Sequence, residues 1–285
     1  MISKSFRITK IMIREQLLDK RVLVLLIVMA VFFANMTLSI PSFCSAAHVR
    51  INPLFYPYIN SYAPYQIVIT SGIIFLFSSA PFFNEQQSFV LIRSGKTSWL
   101  LGCIWYILAA SALYFLVVMV LPAIFVAPVA TFSTDGWGRA IQTLIKTTAT
   151  GEFGIFVPFP SIENAKISAI YSPLSAFAFS FVLQWLIGSF LGLLLFFVNL
   201  ASKRRPGVFI AMCLVVFDLV IVNALPESVY RFSPVSFGRL SVIDVMGNSP
   251  NLPSVLWCFV FLGVGISLFF TLIMLQGRSK KTSLS

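Results

Sequence analysis

Long apolar stretches separated by short polar or basic segments dominate the chain, at about 22–41, 65–83, 99–127, 174–200, 207–225 and 254–275. A bilayer hydrocarbon core about 30 Å thick is crossed by roughly 20 helical residues, and the longer stretches fit it with tilt or a kink. The pattern predicts an all-α polytopic membrane protein, a single transmembrane domain over residues 1–285 with six transmembrane helices. Pro122 and Pro128 are placed to end or bend the third span, because proline removes a backbone donor. Pro226 follows the fifth span and Pro253 precedes the sixth. The first stretch is too long for a cleavable signal and lacks a small-x-small cleavage pattern, so it reads as a retained helix.

Ahead of that first span, Ser5 to Arg21 mixes Phe6, Ile8, Ile11, Met12, Leu17 and Leu18 with Arg7, Lys10, Arg14, Glu15, Asp19 and Lys20. The mixture is roughly amphipathic. It fits either an N-terminal interfacial helix lying along the membrane surface or a plain cytoplasmic lead-in. Three longer loops, about 42–64, 128–173 and 226–253, fall on the other side. The middle one carries a helix around Arg139 to Thr147, and its apolar run Phe153, Ile155, Phe156, Val157 and Phe159 is expected to pack on the membrane face.

Composition agrees with this reading. The 285 residues are 58% hydrophobic and 10% charged, with a mean hydropathy of +0.93; a soluble chain carries about 25% charged residues. The formal net charge of +11 would suit a nucleic-acid partner were it not for its distribution. Lys4, Arg7, Lys10, Arg14, Lys20, Arg21, Arg93, Lys96, Lys203, Arg204, Arg205, Arg278, Lys280 and Lys281 all fall on one side of the six-span arrangement, against Glu15, Asp19 and Glu85. The other side has Arg50, Arg139, Lys146, Lys166, Arg231 and Arg239, nearly balanced by Asp135, Glu152, Glu163, Glu227 and Asp244. Basic loops stay in the cytoplasm, so both termini are expected there, with the cations meeting lipid headgroups and no nucleic acid as partner.

Chemistry-bearing residues are sparse. Cys44, Cys103, Cys213 and Cys258 show no CxxC spacing and read as free thiols, and the one histidine, His48, lies in a polar loop. No metal, cofactor or catalytic site is expected. An intramembrane metalloprotease needs His-Glu-x-x-His, which is absent. Within the spans, Asp218 is the exception: an ionisable group there costs roughly 2.5–3.5 kcal/mol on insertion scales and faces protein or a water-filled path. It serves either the substrate pathway or a structural hydrogen bond. Gly188 and Gly192 form a small-xxx-small pair that lets helices approach closely, within the chain or between copies. Ser78, Ser79, Ser180 and Gln184 are candidates to line a polar path.

The segment Asn84 to Gly102 is the most informative. Its Gly95-Lys96-Thr97 matches the tail of a phosphate-binding loop, but Val90 stands where the first glycine is required, and a span follows at once. Physically the segment is a short helix, a basic turn and an immediate return to the membrane. Phe89, Val90 and Ile92 can cover apolar surface while Glu85, Gln86 and Gln87 offer polar contacts. That suits docking into a groove on a cytoplasmic partner, or an ordinary connector whose Arg93 and Lys96 follow the positive-inside tendency.

The acidic residue, short helix and Arg93-Ser-Gly-Lys-Thr-Ser-Trp-Leu-Leu-Gly102 run resemble the region between the second and third spans of ABC-2-type transporter permeases. The six-span count, inward termini and basic lead-in are similar to that family too. The resemblance implies that Glu85, Gln86, Phe89, Arg93, Gly95 and Lys96 belong to a short cytoplasmic coupling helix and turn that contact a separate ATP-binding cassette subunit. It further implies a second permease copy or related chain, an unknown substrate, export, and residence in the cytoplasmic membrane of a bacterium. ATP hydrolysis would lie on the partner, and this chain would not be an enzyme. The family's large external feature lies between spans five and six, whereas here the 128–173 loop is longer. The alternative function is an ion-driven secondary transporter or a non-catalytic accessory subunit. Paired intramembrane charges or two similar halves, signs of such a carrier, are not evident in the sequence.

Single cysteines placed in a cysteine-free background test the topology. Those at Ser3 and Ser283 should react only with a membrane-permeant reagent, and those at Ser133 and Ser249 with an impermeant reagent applied outside. An externally reactive Ser283 position would overturn the six-span arrangement.

Overall fold

The computed structural model describes residues 2–82, 85–132, 136–146, 161–202, 206–247 and 249–278. These are all-helical, with no strand among the described residues beyond two isolated bridges. In order, the helices are α1 Ile2–Leu17, α2 Lys20–Thr37, α3 Ser39–Ala46, α4 Tyr56–Asn60, α5 Ala63–Leu76, α6 Glu85–Ser94, α7 Lys96–Phe125, α8 Gly138–Lys146, α9 Ser161–Ile170, α10 Pro173–Ala201, α11 Gly207–Ala224 and α12 Val255–Arg278. Five stretches are long and apolar enough to cross a membrane: Lys20–Ala46 (α2 with α3), α7, α10, α11 and Val255–Gly277 of α12. This is the make-up of an integral membrane protein.

The second apolar stretch differs from expectation. The sequence points to 65–83, but α5 has fourteen residues and stops at Leu76, a length of about 21 Å at 1.5 Å per residue. From Phe77 the chain passes through turns to Pro81; Phe77 and Ser78 N–H groups bond Ile73 and Phe75 carbonyls, and the Ser78 hydroxyl takes the Phe75 carbonyl as well. Hydroxyl side chains compete for backbone groups in this way and favour turns. Hydropathy does not register the change, because an apolar turn scores like an apolar helix. At the third span, α7 contains Pro122 and ends three residues later, and Pro128 opens no further helix beyond a 3₁₀ turn at Ala127–Val129.

Helices α7 and α10 form the centre. Gly188 of α10 lies against Phe115, and a Cβ at Gly192 would come within 2.6 Å of Ile107 and 2.8 Å of Phe77. The absent side chains are what allow α10 to meet α7 and α5 so closely. Aromatic donors pin the same layer: Trp185 Nε1 donates to the Leu108 carbonyl at 2.9 Å, and Tyr114 Oη to the Ile69 carbonyl at 2.8 Å. Around this pair, α2 packs on α7 and α5, α11 on α5 and α10, and α12 on α10 and α7.

The bundle has two distinct ends. At the proximal end α1 lies along the start of α7, where Ser5 Oγ bonds the Ser98 carbonyl and Thr9 Oγ1 the Gly102 carbonyl, each at 3.1 Å. Of the apolar side chains in the lead-in, Ile8 and Met12 are buried, while Phe6, Ile11, Leu17 and Leu18 are exposed. At the distal end the three long connections meet. The backbone of Ile51 bonds to Val129 and Thr131, and Tyr58 packs edge-on against Trp137, whose Nε1 donates to the Tyr171 carbonyl at 2.8 Å. The helix expected around 139–147 is α8; the apolar run 153–159 lies outside the described residues, as do the basic clusters 203–205 and 280–281.

Gly192→Val tests the central packing. Overfilling a close-packed core costs about 1–3 kcal/mol, so the variant should show a lower midpoint of thermal unfolding in detergent, whereas Gly263→Val, where a Cβ meets open space, should not. Equal midpoints for both would remove Gly192 as a packing determinant.

Candidate functional site

Two features stand apart from ordinary helix packing: a buried polar cluster toward the distal end and a short helix at the proximal end.

The cluster forms because the connection after α11 turns inward. It has three 3₁₀ turns, Glu227–Phe232, Ser236–Gly238 and Leu240–Val242, and every residue from 233 to 243 is buried. Its sequence, Ser233-Pro-Val-Ser-Phe-Gly-Arg-Leu-Ser-Val-Ile243, has one charge. Backbone carbonyls outside a regular helix need partners when water is excluded, and amide side chains supply them. Asn60 of α4 donates to the Gly238 carbonyl at 2.6 Å, and Gln66 of α5 to the Val235 carbonyl at 3.3 Å. Gln184 of α10 donates to Gln66 Oε1 at 2.8 Å. Gly238 faces both glutamines so closely that a Cβ would lie 2.7 Å from Gln184 Nε2.

Asp218 of α11 completes the cluster. Arg239 Nη2 approaches Asp218 Oδ1 at 2.7 Å, with the side chains 1% and 0% exposed, and the Ser236 hydroxyl donates to the same oxygen. The guanidinium also sits over the Tyr230 ring, 5.3 Å from its centroid. This corrects two expectations. Arg239 does not belong with the solvent-side cations of the 226–253 loop, and Asp218 does have a second charge beside it. The inward fold of the loop brings the arginine to the carboxylate, an event no local sequence pattern records. The signal that was available is the near absence of charge from 233 to 243, which a loop bathed in water would not show. Asp218 Oδ2 and Arg239 Nε remain without hydrogen-bond partners among the described residues.

Of the other candidates, Gln184 belongs to this cluster. Ser180, one turn earlier on α10, is buried with its hydroxyl unpartnered among the described residues. Gly188 and Gly192 lie farther along α10 at the α7 and α5 contact, and Ser78 and Ser79 follow α5 at the proximal end. The structure therefore does not gather these residues into one polar path.

At the proximal end, α6 and α7 are separated by Gly95 alone, with φ +82° and ψ 149°, a conformation glycine adopts without steric cost. Gln87 is 1% exposed and joins three helices: its Nε2 donates to Glu15 Oε2 of α1 at 3.0 Å, and its Oε1 accepts from Trp99 Nε1 of α7 at 3.3 Å. Phe89 and Ile92 are 68% and 80% exposed, and Arg93 is exposed beside them. Behind them Val90 and Leu91 pack against the core beside Gln87, so α6 has apolar side chains on its outer face as well as its inner one, unlike a helix seated on a soluble core. Lys96 begins α7 and is half-buried; the side chains of Glu85 and Gln86 lie outside the described residues. No protein family, curated protein or solved structure matches the chain.

Removing one partner of a buried ion pair leaves an uncompensated charge and costs about 3–5 kcal/mol. Asp218→Leu and Arg239→Met should each lower folded yield and unfolding temperature sharply, and the double change should recover most of the loss. Additive losses, or singles indistinguishable from the parent chain, would contradict the pairing.

Proposed function

We propose that the chain is the membrane-spanning permease subunit of an ABC transporter, working with a separate ATP-binding cassette subunit and a second permease copy or related chain. In this reading α5 makes the sixth crossing, helped by the turn at 77–81 and by α4 at its other end. Both termini face the cytoplasm of a bacterium, α1 lies at the inner interface, and α6 is the coupling helix.

The observation that carries the proposal is the arrangement of α6. It is tied through Gln87 to α1 and to the start of α7, on the side where the sequence concentrates its cations. It also turns Phe89 and Ile92 outward, one helical turn apart. A pair of apolar anchors at i and i+3 on a helix held from behind suits a hydrophobic groove on a partner. Closure of an ATPase pair would push on α6 and, through Gln87 and Trp99, on α7 at the centre of the bundle. Export of an unknown substrate is the direction the reading favours.

The Asp218–Arg239 pair gives a second reading some weight, because intramembrane charge pairs are frequent in ion-driven carriers. A carrier would transport alone in liposomes under an ion gradient.

Truncating a buried interface anchor costs about 2 kcal/mol or more, and rim charges contribute less. Phe89→Ala should therefore reduce the ATPase activity that co-purifies with the chain in mild detergent, with Ile92→Ala acting similarly. Glu85→Ala and Arg93→Ala should act more weakly and with greater salt sensitivity. Full ATPase association in all four would reduce the segment to a connector, and unaided gradient-driven transport would establish the carrier instead.

A further inference from the structure

A cavity of about 630 Å³ opens at the proximal end between α1, α2, the end of α5 and α7. Its polar lining includes Glu15, Asp19, Arg21, Ser79, Gln87 and Tyr106. The acids stand out: the sequence assigns this end three, Glu15, Asp19 and Glu85, among many cations, and two of them face this space. Each is held by one oxygen only among the described residues. Glu15 accepts from Gln87 through Oε2, and Asp19 caps α2 by accepting the Arg21 N–H through Oδ1 at 2.9 Å. The other carboxylate oxygens are free to take donors.

Tyr106 provides an independent sign of a ligand. It is 4% exposed and packs edge-on against Phe82 at 5.0 Å and Phe77 at 6.2 Å, yet it lines the cavity, and its hydroxyl makes no hydrogen bond among the described residues. Buried polar groups are ordinarily satisfied; several hydroxyls here, those of Tyr56, Ser111 and Ser180 among them, are not, and Tyr106 is set apart from these by lining the cavity, where a ligand can partner it. A second, almost wholly apolar groove continues from the first. Gln16, Val22, Leu25 and Leu76 line both, and Leu113 and Val117 of α7 carry the groove along the outside of the bundle. Leu17 and Leu113, at its rim, are exposed apolar side chains, so the groove opens sideways toward lipid.

We propose that this cavity and groove bind an amphiphile with an amine head and an apolar tail. The head would be held by Glu15, Asp19 and the Tyr106 hydroxyl, and the tail would lie along Leu25, Leu76 and Leu113. Among the described residues, two carboxylates against the single Arg21 select a cation over an anion, and a bare metal ion would leave the groove unexplained. The site stands as a binding site whether or not the chain couples to an ATPase. Its ligand chemistry has two sources, an aminophospholipid of the bilayer or a free amphiphilic amine.

Equilibrium binding of a fluorescent long-chain alkylamine to the purified chain, in nanodiscs of phosphatidylcholine, tests it. Saturable binding is expected, with an alkyl sulfate of equal length failing to compete. A hydrogen bond to a charged group is worth about tenfold in affinity and a neutral one somewhat less. Asp19→Asn should therefore weaken binding about tenfold, and Tyr106→Phe, which removes one oxygen and keeps the ring contacts, by about threefold to tenfold. Leu113→Trp should obstruct the groove and weaken a long-chain amine more than a short-chain one. Competition by phosphatidylethanolamine would identify the bilayer as the source, and its failure to compete a free amine; either outcome supports the site. Unchanged affinity in both Asp19→Asn and Tyr106→Phe, or equal competition by the alkyl sulfate, would overturn it.

Discussion

The contact between Gln66, Gln184 and Asn60 and the irregular backbone of residues 235–238 governs the distal half of the molecule. Non-helical backbone at the depth of a bundle interior survives only where protein groups replace water. Here Asn60 comes from α4, Gln66 from α5 and Gln184 from α10, so one turn of backbone fixes three elements relative to one another. Once the segment is seated, Arg239 has no path to water and must find a counter-charge. Asp218 of α11 supplies it and thereby ties in a fourth helix. The pair is a consequence of the inserted loop rather than an independent stabiliser. A buried ion pair gains little over apolar packing, while a broken one is costly.

The same physics decides what was legible in the sequence. Hydropathy located the long spans closely, because burial in hydrocarbon demands unbroken apolar runs. It misjudged 65–83, where Ser78, Ser79 and Pro81 end the helix without lowering apolarity. The lead-in was readable as amphipathic, but the residues that dock it, Ser5 and Thr9, are small and polar and carry no signal in a pattern of large apolar side chains. Asp218 was conspicuous by its charge. Arg239 was not, since position in a loop says nothing about whether that loop turns inward. Gln66 and Asn60 escaped for a related reason, and Gln87, read as a polar contact, was not read as a tie to α1 and α7: an uncharged amide is ordinary until a backbone carbonyl, carboxylate or indole is seen to face it.

The two ends of the bundle differ in a way that bears on any transport cycle. Distally, the loops interlock over a buried polar cluster, and Asp218 and Arg239 line neither the proximal cavity nor the groove beside it. Proximally, about 630 Å³ stands open beside α1 and α6. Under the proposed reading this is an inward-facing arrangement, and reaching an outward-facing one requires the distal cluster to part.

The size of that step constrains what can drive it. Leaving one charge of a buried pair uncompensated costs about 3–5 kcal/mol, so parting both without rehydration costs at least that, and inverting a two-state population from 1:99 to 99:1 takes about 5.5 kcal/mol of differential binding. Rehydration of Asp218 and Arg239 in an opened distal cleft would offset part of the first figure, and their unpartnered Oδ2 and Nε atoms leave less to lose. A ligand bound proximally favours the arrangement that forms its site, so by itself it pulls against distal opening. Under the proposed reading the drive therefore enters elsewhere. The exposed face of α6, joined to α7 through Gln87 and Trp99, is the element through which an attached partner would deliver it.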